Sequence, residues 1–221
     1  MRHRRAFATV AVLAAAALTT GALRGSNMGF LINCTLQGPA PGVSRSGINT
    51  VNLPWQSNLA TASALMTDIG FPGVANVQNF VTATDGLELF TGRKGSPSPD
   101  FALAAGSCYF VTVAAATPYV IEGSDVPGLV RPLLAPLAGI SKTGTNFVAV
   151  PYHSTADTAL ELMTEIGFAS VTNVQRFITA TDGLEVYTGR KGSPNANFPL
   201  VPCECYFIRM NAPVMWIPTH Y

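Results

Sequence analysis

Short stretches in which polar and apolar residues alternate recur along this chain, and they predict half-buried β-strands. Residues 50–53 alternate in this way and are followed by Pro54, which predicts a strand that ends at the proline. In the first half of the chain the pattern predicts further strands over 76–82, 87–91, 108–113 and 119–121. Asp85 and Gly86 lie between two of these strands and favour a tight type I′ hairpin turn.

A helical pattern follows the first of these strands and is clearest in the second half of the chain. Thr158 and Glu161 have the spacing of a capping box, in which two side chains satisfy free backbone amides at a helix start. Apolar side chains then recur on one face from Ala159 to Ile166. Gly167, like Gly70 in the first half, is expected to end the helix in a left-handed conformation.

The second half of the chain repeats the first with an offset of 97 residues. The run 82–88 returns unchanged at 179–185, and the run 91–97 returns unchanged at 188–194. Such repetition indicates two copies of one folding unit. We therefore predict a β-rich α+β protein of two duplicated modules of about 97 residues, each a small antiparallel sheet or barrel-like unit with one short helix. The predicted segments are a signal peptide over 1–22, module 1 over 23–124 and module 2 over 125–221.

The first 22 residues have the pattern of a secretory signal. Arg2, Arg4 and Arg5 precede an apolar run over 6–18, and small residues follow it up to Ala22. A retained membrane anchor is the alternative, although that needs about 20 apolar residues. We expect a secreted protein, located in the periplasm, at the cell surface or outside the cell, with no membrane span once the signal is removed.

The charge composition argues against some classes of protein. Charged residues make up 11% of the chain, and 13 Lys and Arg nearly balance 12 Asp and Glu. This balance argues against an extended charged tail and against a nucleic-acid-binding surface.

Four short motifs occur in both modules: a G-[VI]-S-[KR]-x-G-x-N strand entry, a strand ending in L-P or V-P, a T-A-x-x-L-x-x-x-I-G helix and an x-Y-F-[VI] strand. In this combination the chain resembles tandem-repeat modules of secreted bacterial proteins, over essentially all of its predicted mature length. It departs from them at Cys203-Glu204, where a glycine-containing pair such as Gly106-Ser107 is more usual. The resemblance implies secretion and modular construction, and it implies no activity.

The sequence offers few groups for catalysis. Outside the predicted signal, histidine occurs only at His153 and His220, and Gln56 takes the place of His153 in module 1. The carboxylates of Asp85 and Glu88 recur at Asp182 and Glu185. Each pair could serve a hydrolase if its two carboxylates faced each other across a cleft. The hairpin turn explains the aspartate equally well, so we predict no catalytic residue, no metal site and no cofactor.

Exposed aromatic and basic residues are the candidates for ligand binding. Aromatic side chains that follow a strand-ending proline suit contact with sugars, and basic pairs in glycine-rich loops suit anionic groups, although solvated turns are the alternative. The candidates are Trp55, Tyr152, Arg93, Lys94, Arg190 and Lys191. Three repeated pairs of phenylalanines are instead assigned to the core: Phe71 and Phe168, Phe80 and Phe177, and Phe101 and Phe198.

The four cysteines, Cys34, Cys108, Cys203 and Cys205, favour disulfides in an exported protein and allow three pairings. Cys203 and Cys205 are two positions apart, which makes a bond between them awkward. Cys108 and Cys205 are equivalent positions and would meet only across an interface between the modules. We favour a bond between Cys34 and Cys108.

These observations favour an exported, non-catalytic protein with a structural or adhesive role at the cell surface or outside the cell. A carbohydrate-binding protein is the alternative, and an exported hydrolase is less favoured. The expected partner is a second copy, bound through edge strands, or an extracellular polysaccharide, and not a nucleic acid.

Overall fold

A computed structural model describes residues 29–54, 56–124, 128–152, 154–190, 196–201 and 204–219. The predicted signal peptide and the residues Trp55, His153, Lys191, Cys203 and His220 lie outside these ranges. Within them, no helix reaches the length and hydrophobicity that crossing a bilayer requires.

Each module is built mainly of short strands and one helix, as the sequence predicts. The elements of module 1 are β1 (Phe30–Leu36), β2 (Ile48–Asn52), α1 (Ala62–Ile69), β3 (Val74–Val81), β4 (Gly86–Phe90), β5 (Cys108–Val113) and β6 (Thr117–Gly123). Those of module 2 are β7 (Arg131–Leu133), β8 (Thr145–Ala149), α2 (Ala159–Ile166), a 3₁₀ turn (Phe168–Ser170), β9 (Val171–Ile178), β10 (Gly183–Tyr187), β11 (Cys205–Met210) and β12 (Val214–Trp216).

The strands of each module form a four-stranded antiparallel sheet and a two-stranded ribbon. The sheets have the orders β2-β5-β3-β4 and β8-β11-β9-β10, and the ribbons pair β1 with β6 and β7 with β12. This confirms the prediction of two duplicated β-rich modules. The first ribbon strands, β1 and β7, were not among the predicted elements. β7 contains Pro132, and a proline fits only where a strand needs no further backbone donor.

The helices begin and end at the predicted residues. Thr158 Oγ1 accepts a hydrogen bond from the backbone amide of Glu161 (3.3 Å), and Gly167 follows the last turn at φ +117°. The reciprocal half of the capping box differs, because the Glu161 carboxylate accepts from the amide of Asp157 rather than from that of Thr158. In module 1, Gly70 ends α1 at φ +121°.

The hairpin turns are longer than predicted. Val81 and Gly86 form the last strand pair, so four residues, 82–85, make the connection. The amide of Thr84 donates to the carbonyl of Val81 (3.1 Å), which closes the turn early and leaves Asp85 to adopt the left-handed conformation at φ +54°. An aspartate tolerates that conformation better than most residues do. The prediction of a type I′ turn centred on Asp85-Gly86 is therefore wrong, although the prediction of a tight hairpin is confirmed.

Each module has a hydrophobic core of its own, between its helix and one face of its sheet. That of module 1 uses buried residues from 32 to 121, and that of module 2 uses buried residues from 133 to 216. Phe101 and Phe198 are buried in these cores, as predicted. Phe71 and Phe168 are 52% and 44% exposed, so their assignment to the core is wrong. Each directly follows the glycine that ends its helix, and its ring lies beside Gly92 or Gly189 instead.

A third apolar layer holds the two sheets against each other. Its centre consists of stacked phenylalanines: Phe147 lies 4.3 Å from Phe207 and 4.9 Å from Phe110, measured between ring centroids. Phe80 and Phe177 meet this stack edge-on at 5.3 Å from Phe207 and 5.4 Å from Phe110. Phe80 and Phe177, predicted as core, therefore pack between the modules and are half-buried.

Polar contacts around this layer occur in equivalent pairs. The amide of Arg45 donates to the carbonyl of Thr179 (2.9 Å), and the equivalent amide of Lys142 donates to the carbonyl of Thr82 (2.9 Å). Each contact thus uses the strand-entry motif of one module and the hairpin turn of the other. This is the arrangement of a two-fold symmetric dimer, here formed within one chain.

A disulfide joins Cys108 to Cys205, with their Cα atoms 6.0 Å apart. Because these positions are equivalent, the bond lies where the two modules are related by approximate two-fold symmetry. The favoured bond between Cys34 and Cys108 is therefore wrong. Cys108 and Cys205 begin β5 and β11 and belong to the layer between the modules, not to the core that packs under the ribbons.

The asparagine of the strand-entry motif ties each ribbon to its sheet. Asn49 is buried; its Oδ1 accepts from the amide of Gln37 (2.7 Å), and its Nδ2 donates to the carbonyls of Gln37 (3.0 Å) and Gly47 (2.8 Å). Asn146 makes the same set of bonds to Leu134 and Gly144. The side-chain amide therefore acts as a piece of strand backbone between β1 and β2.

We expect Asn49→Ala to destabilise the chain by about 3 kcal/mol, because it leaves backbone groups of Gln37 and Gly47 without partners at a buried site. Urea denaturation of the purified chain measures this as a lower midpoint with an unchanged slope. Asn58→Ala, at an exposed position, is the control and should shift the free energy of unfolding by less than about 0.5 kcal/mol. A similarly small shift for Asn49→Ala would contradict the role described.

Candidate functional site: the cleft between the modules

The two modules enclose a cleft on one side of their interface. Its walls are β1, residues 49 and 50 of β2, and the residues Tyr152, Phe177, Thr179 and Glu204 of module 2. The volume is about 560 Å³. We call this the inter-module cleft. Its size lies within the range of about 300–1,000 Å³ that is usual for small-molecule sites.

The approximate two-fold symmetry generates a second cleft, which is much smaller. It has a volume of about 210 Å³ and is lined by the equivalents of the same residues, among them Arg131 and Phe147. Phe147 takes the place of Thr50, and its ring stacks on Phe110 and Phe207. Arg131 takes the place of Cys34, and its longer side chain reaches across the interface. Among the described lining residues, these larger side chains accompany the smaller volume.

In the smaller cleft, the side chain of Arg131 forms hydrogen bonds that join the two modules. Its guanidinium donates to the carbonyl of Gly106 and to Ser107 Oγ (3.4 Å), both in module 1. Burial lowers the pKa of Arg131 to about 10. The guanidinium is thus used to hold the ribbon of module 2 against the opposite module.

Glu204 is the ionisable group that distinguishes the inter-module cleft, because Ser107 is its equivalent in the smaller one. It is half-buried, and its Oε2 accepts a hydrogen bond from the hydroxyl of Tyr206 (3.1 Å). Burial raises the pKa of the Glu204 carboxyl above its usual value. The Tyr206 hydroxyl also accepts from the amide of Val201 (2.6 Å), which fixes the loop end that carries Glu204.

The sequence-predicted ligand residues are divided between the cleft and the outer surface. Tyr152 lines the inter-module cleft; it is 40% exposed and stacks on Phe30 of module 1 at 5.3 Å between ring centroids. Arg93, Lys94 and Arg190 are exposed and do not line the cleft. Tyr152 is thus the described candidate that contributes to a concave site.

The repeated carboxylates do not face each other across this cleft. Glu185 forms an ion pair with Arg176 (2.6 Å), and Asp182 accepts a hydrogen bond from Ser46 Oγ of the opposite module (3.0 Å). Glu88 accepts from Asn79 Nδ2 (3.5 Å). In the described part of the chain, no group of three or more His, Cys, Asp or Glu side chains is placed to share a metal ion.

Comparison with protein-family models, curated proteins and solved structures finds no match to this chain.

Sequence reasoning missed Thr50, Arg131 and Glu204 as residues that shape the two clefts. The signal was nonetheless present, because these are positions at which the two repeats differ: Thr50 pairs with Phe147, Cys34 with Arg131 and Ser107 with Glu204. Positions that are identical in the two repeats build the shared fold, whereas these differing positions distinguish the two clefts.

We expect proteolytic mapping under non-reducing conditions to recover a peptide pair in which Cys108 of module 1 is linked to Cys205 of module 2. Cys34 is also disulfide-bonded, so it should give no free thiol. A peptide linking Cys34 to Cys108, or a titratable thiol in the unreduced chain, would contradict this; a reduced digest is the control.

We expect Glu204→Gln to raise the melting temperature at about pH 7 and to leave it unchanged below about pH 3.5. The raised pKa means that ionising Glu204 costs more free energy in the folded chain than in the unfolded one. That cost is absent when the carboxyl is protonated in both states and appears as the pH rises through its pKa. Calorimetry at both pH values measures the difference. Glu122→Gln, at an exposed position, is the control, and an equal gain at both pH values would refute the electrostatic cause.

Proposed function

We propose that this chain is an exported, non-catalytic protein of the cell surface or extracellular space, with a structural or adhesive role. The observation that carries the proposal is the disulfide between Cys108 and Cys205. Such bonds persist in oxidising compartments and are kept reduced in most cytosols. The basic and apolar start of the sequence supports the same location.

The structural use of the repeated motifs supports a scaffold rather than an enzyme. Ser44 is buried, and its hydroxyl accepts from the amide of Gly47 (3.0 Å). Gly47 has φ +79°, and a Cβ there would collide with the carbonyl of Val113. Together with Asn49, these residues serve to bring the chain into the sheet and against the opposite module.

The edge strand β4 is poorly suited to pairing with a second copy. The amides of Leu89 and Thr91 donate to Ser98 Oγ (3.3 Å) and Ser96 Oγ (3.1 Å). These serines belong to the loop that follows β4, and they occupy positions that a partner strand would need. Covering an edge in this way is a common protection against strand association.

The ribbon of module 1 offers a different surface. Leu31 and Val120 lie on its outer face and are 64% and 42% exposed. Exposed apolar side chains on a disulfide-linked protein are typical of a surface that contacts another molecule. This favours the adhesive form of the proposal over self-assembly through β4.

Export is tested by expressing the full chain in a bacterium and fractionating the cells. We expect the protein outside the inner membrane, with the mass of residues 23–221, because the predicted signal ends at Ala22. Ala15→Arg places a charge within the apolar run and should keep the chain in the cytoplasm. Cytoplasmic retention of the unaltered chain with Met1 in place would overturn the proposal.

Light scattering on the exported protein over a range of concentrations separates adhesion from assembly. Under the adhesive form of the proposal we expect a constant monomer mass. At β4, one of the sheet edges, the loop that follows the strand already occupies amides that a partner strand would need. Growth into large assemblies would instead favour the structural role.

A further inference from the structure

We propose that the inter-module cleft binds a neutral oligosaccharide. This inference goes beyond export and adhesion, because binding is a property of the purified chain and does not depend on where the protein is located.

The first support is that one of the two symmetry-related clefts is much larger than the other. In the smaller cleft, Phe147 stacks on Phe110 and Phe207, and Arg131 occupies the remaining space. In the inter-module cleft, Thr50 leaves the corresponding space empty, and its hydroxyl accepts only a long hydrogen bond from the amide of Cys205 (3.4 Å). The inter-module cleft has a volume of about 560 Å³, against about 210 Å³ for its equivalent, and this asymmetry is the feature that a ligand would explain.

The second support is the chemistry of the lining. Asn33 and Thr35 line the cleft from the outer face of β1, which they share with Leu31. Gln37 follows β1 on the same wall, and Thr179 belongs to the wall formed by module 2. Amide and hydroxyl side chains both donate and accept hydrogen bonds. The hydroxyl groups of a sugar do the same, so such a lining can satisfy them in either direction.

The third support is the aromatic side chain at the mouth. Tyr152 is held by stacking on Phe30 and still exposes 40% of its surface. An aromatic ring fixed in this way presents an apolar face beside polar groups, which suits the apolar face of a pyranose ring. A flexible or fully buried ring would not.

The charge of the cleft selects against acidic glycans. Among the described residues that line it, Glu204 is the one carboxylate, and no lysine or arginine is present. The basic candidates Arg93, Lys94 and Arg190 are outside it. Arg176 lies near enough to attract the Glu204 carboxylate, but it does not line the cleft and is ion-paired with Glu185. An anionic sugar would therefore meet a like charge and no lining cation, whereas a neutral sugar can use Glu204 as a hydrogen-bond acceptor.

The experiment is isothermal titration of the purified, disulfide-bonded chain with defined oligosaccharides. The probes are neutral oligomers of glucose, xylose, mannose and N-acetylglucosamine, with oligogalacturonate as the acidic contrast. We expect at least one neutral oligomer to bind and oligogalacturonate to bind more weakly or not at all.

Two variants place the binding in the cleft. Thr50→Phe copies the side chain of the filled cleft and should weaken binding by about tenfold or more, the factor that corresponds to loss of about 1.4 kcal/mol. Asn33→Ala removes an exposed lining amide and should weaken binding without affecting folding. Asn58→Ala is the matched control, because Asn58 lines a different depression beside β6, and it should bind as the unaltered chain does. Melting temperatures of all variants show whether Thr50→Phe is folded.

Three results would overturn the proposal. One is failure of every neutral oligomer to bind the unaltered chain. Another is undiminished binding by both Thr50→Phe and Asn33→Ala. The third is binding of oligogalacturonate that is lost in Arg93→Gln, which would place the ligand on the basic loops. None of these results bears on export, so failure of this proposal and failure of the proposed function remain distinguishable.

Discussion

Packing of the two four-stranded sheets against each other is the contact on which the rest of the structure depends. The central strands β5 and β11 are buried on both faces: Tyr109 and Val111 of β5 belong to the core of module 1, whereas Cys108 and Phe110 belong to the layer between the modules. A small module has little core to stabilise it. When the second face of each sheet packs against the equivalent sheet, the central strands bury apolar side chains on both faces and not on one. The disulfide across this layer closes a loop of 97 residues, for which loop-closure entropy predicts about 4–5 kcal/mol of stabilisation.

Approximate symmetry around this layer gives the molecule two equivalent sets of surfaces, and substitutions at a few positions make them different. Phe147 and Arg131 line the smaller cleft, and Thr50 and Cys34 are their equivalents in the larger one. Since the surrounding backbone contacts are preserved in pairs, the difference could arise without disturbing the frame.

The motifs that are most alike in the two modules hold the strands and the modules together. The side-chain amide of Asn49 takes the place of strand backbone, and Gly47 allows the close approach of Val113. In the hairpin turn, the carbonyl of Thr82 accepts a hydrogen bond from the amide of Lys142 in the other module. Identity between repeats therefore reports the constraints of folding and pairing. It does not by itself mark a functional site, which is consistent with the placement of the cleft at positions where the repeats differ.

The sequence by itself determined the duplication, the β-rich class, most strands, and both helices with their threonine and glycine ends. These features depend on contacts between residues close in the chain, which alternation, capping spacing and glycine positions report directly. Only the tertiary structure decided which cysteines pair, that Phe80 and Phe177 pack between modules, and that one cleft stays open. Those outcomes depend on how two sheet faces meet across residues that are distant in sequence. The continuous apolar run of β5 indicates that both faces are buried, but it carries no information about what covers the second face.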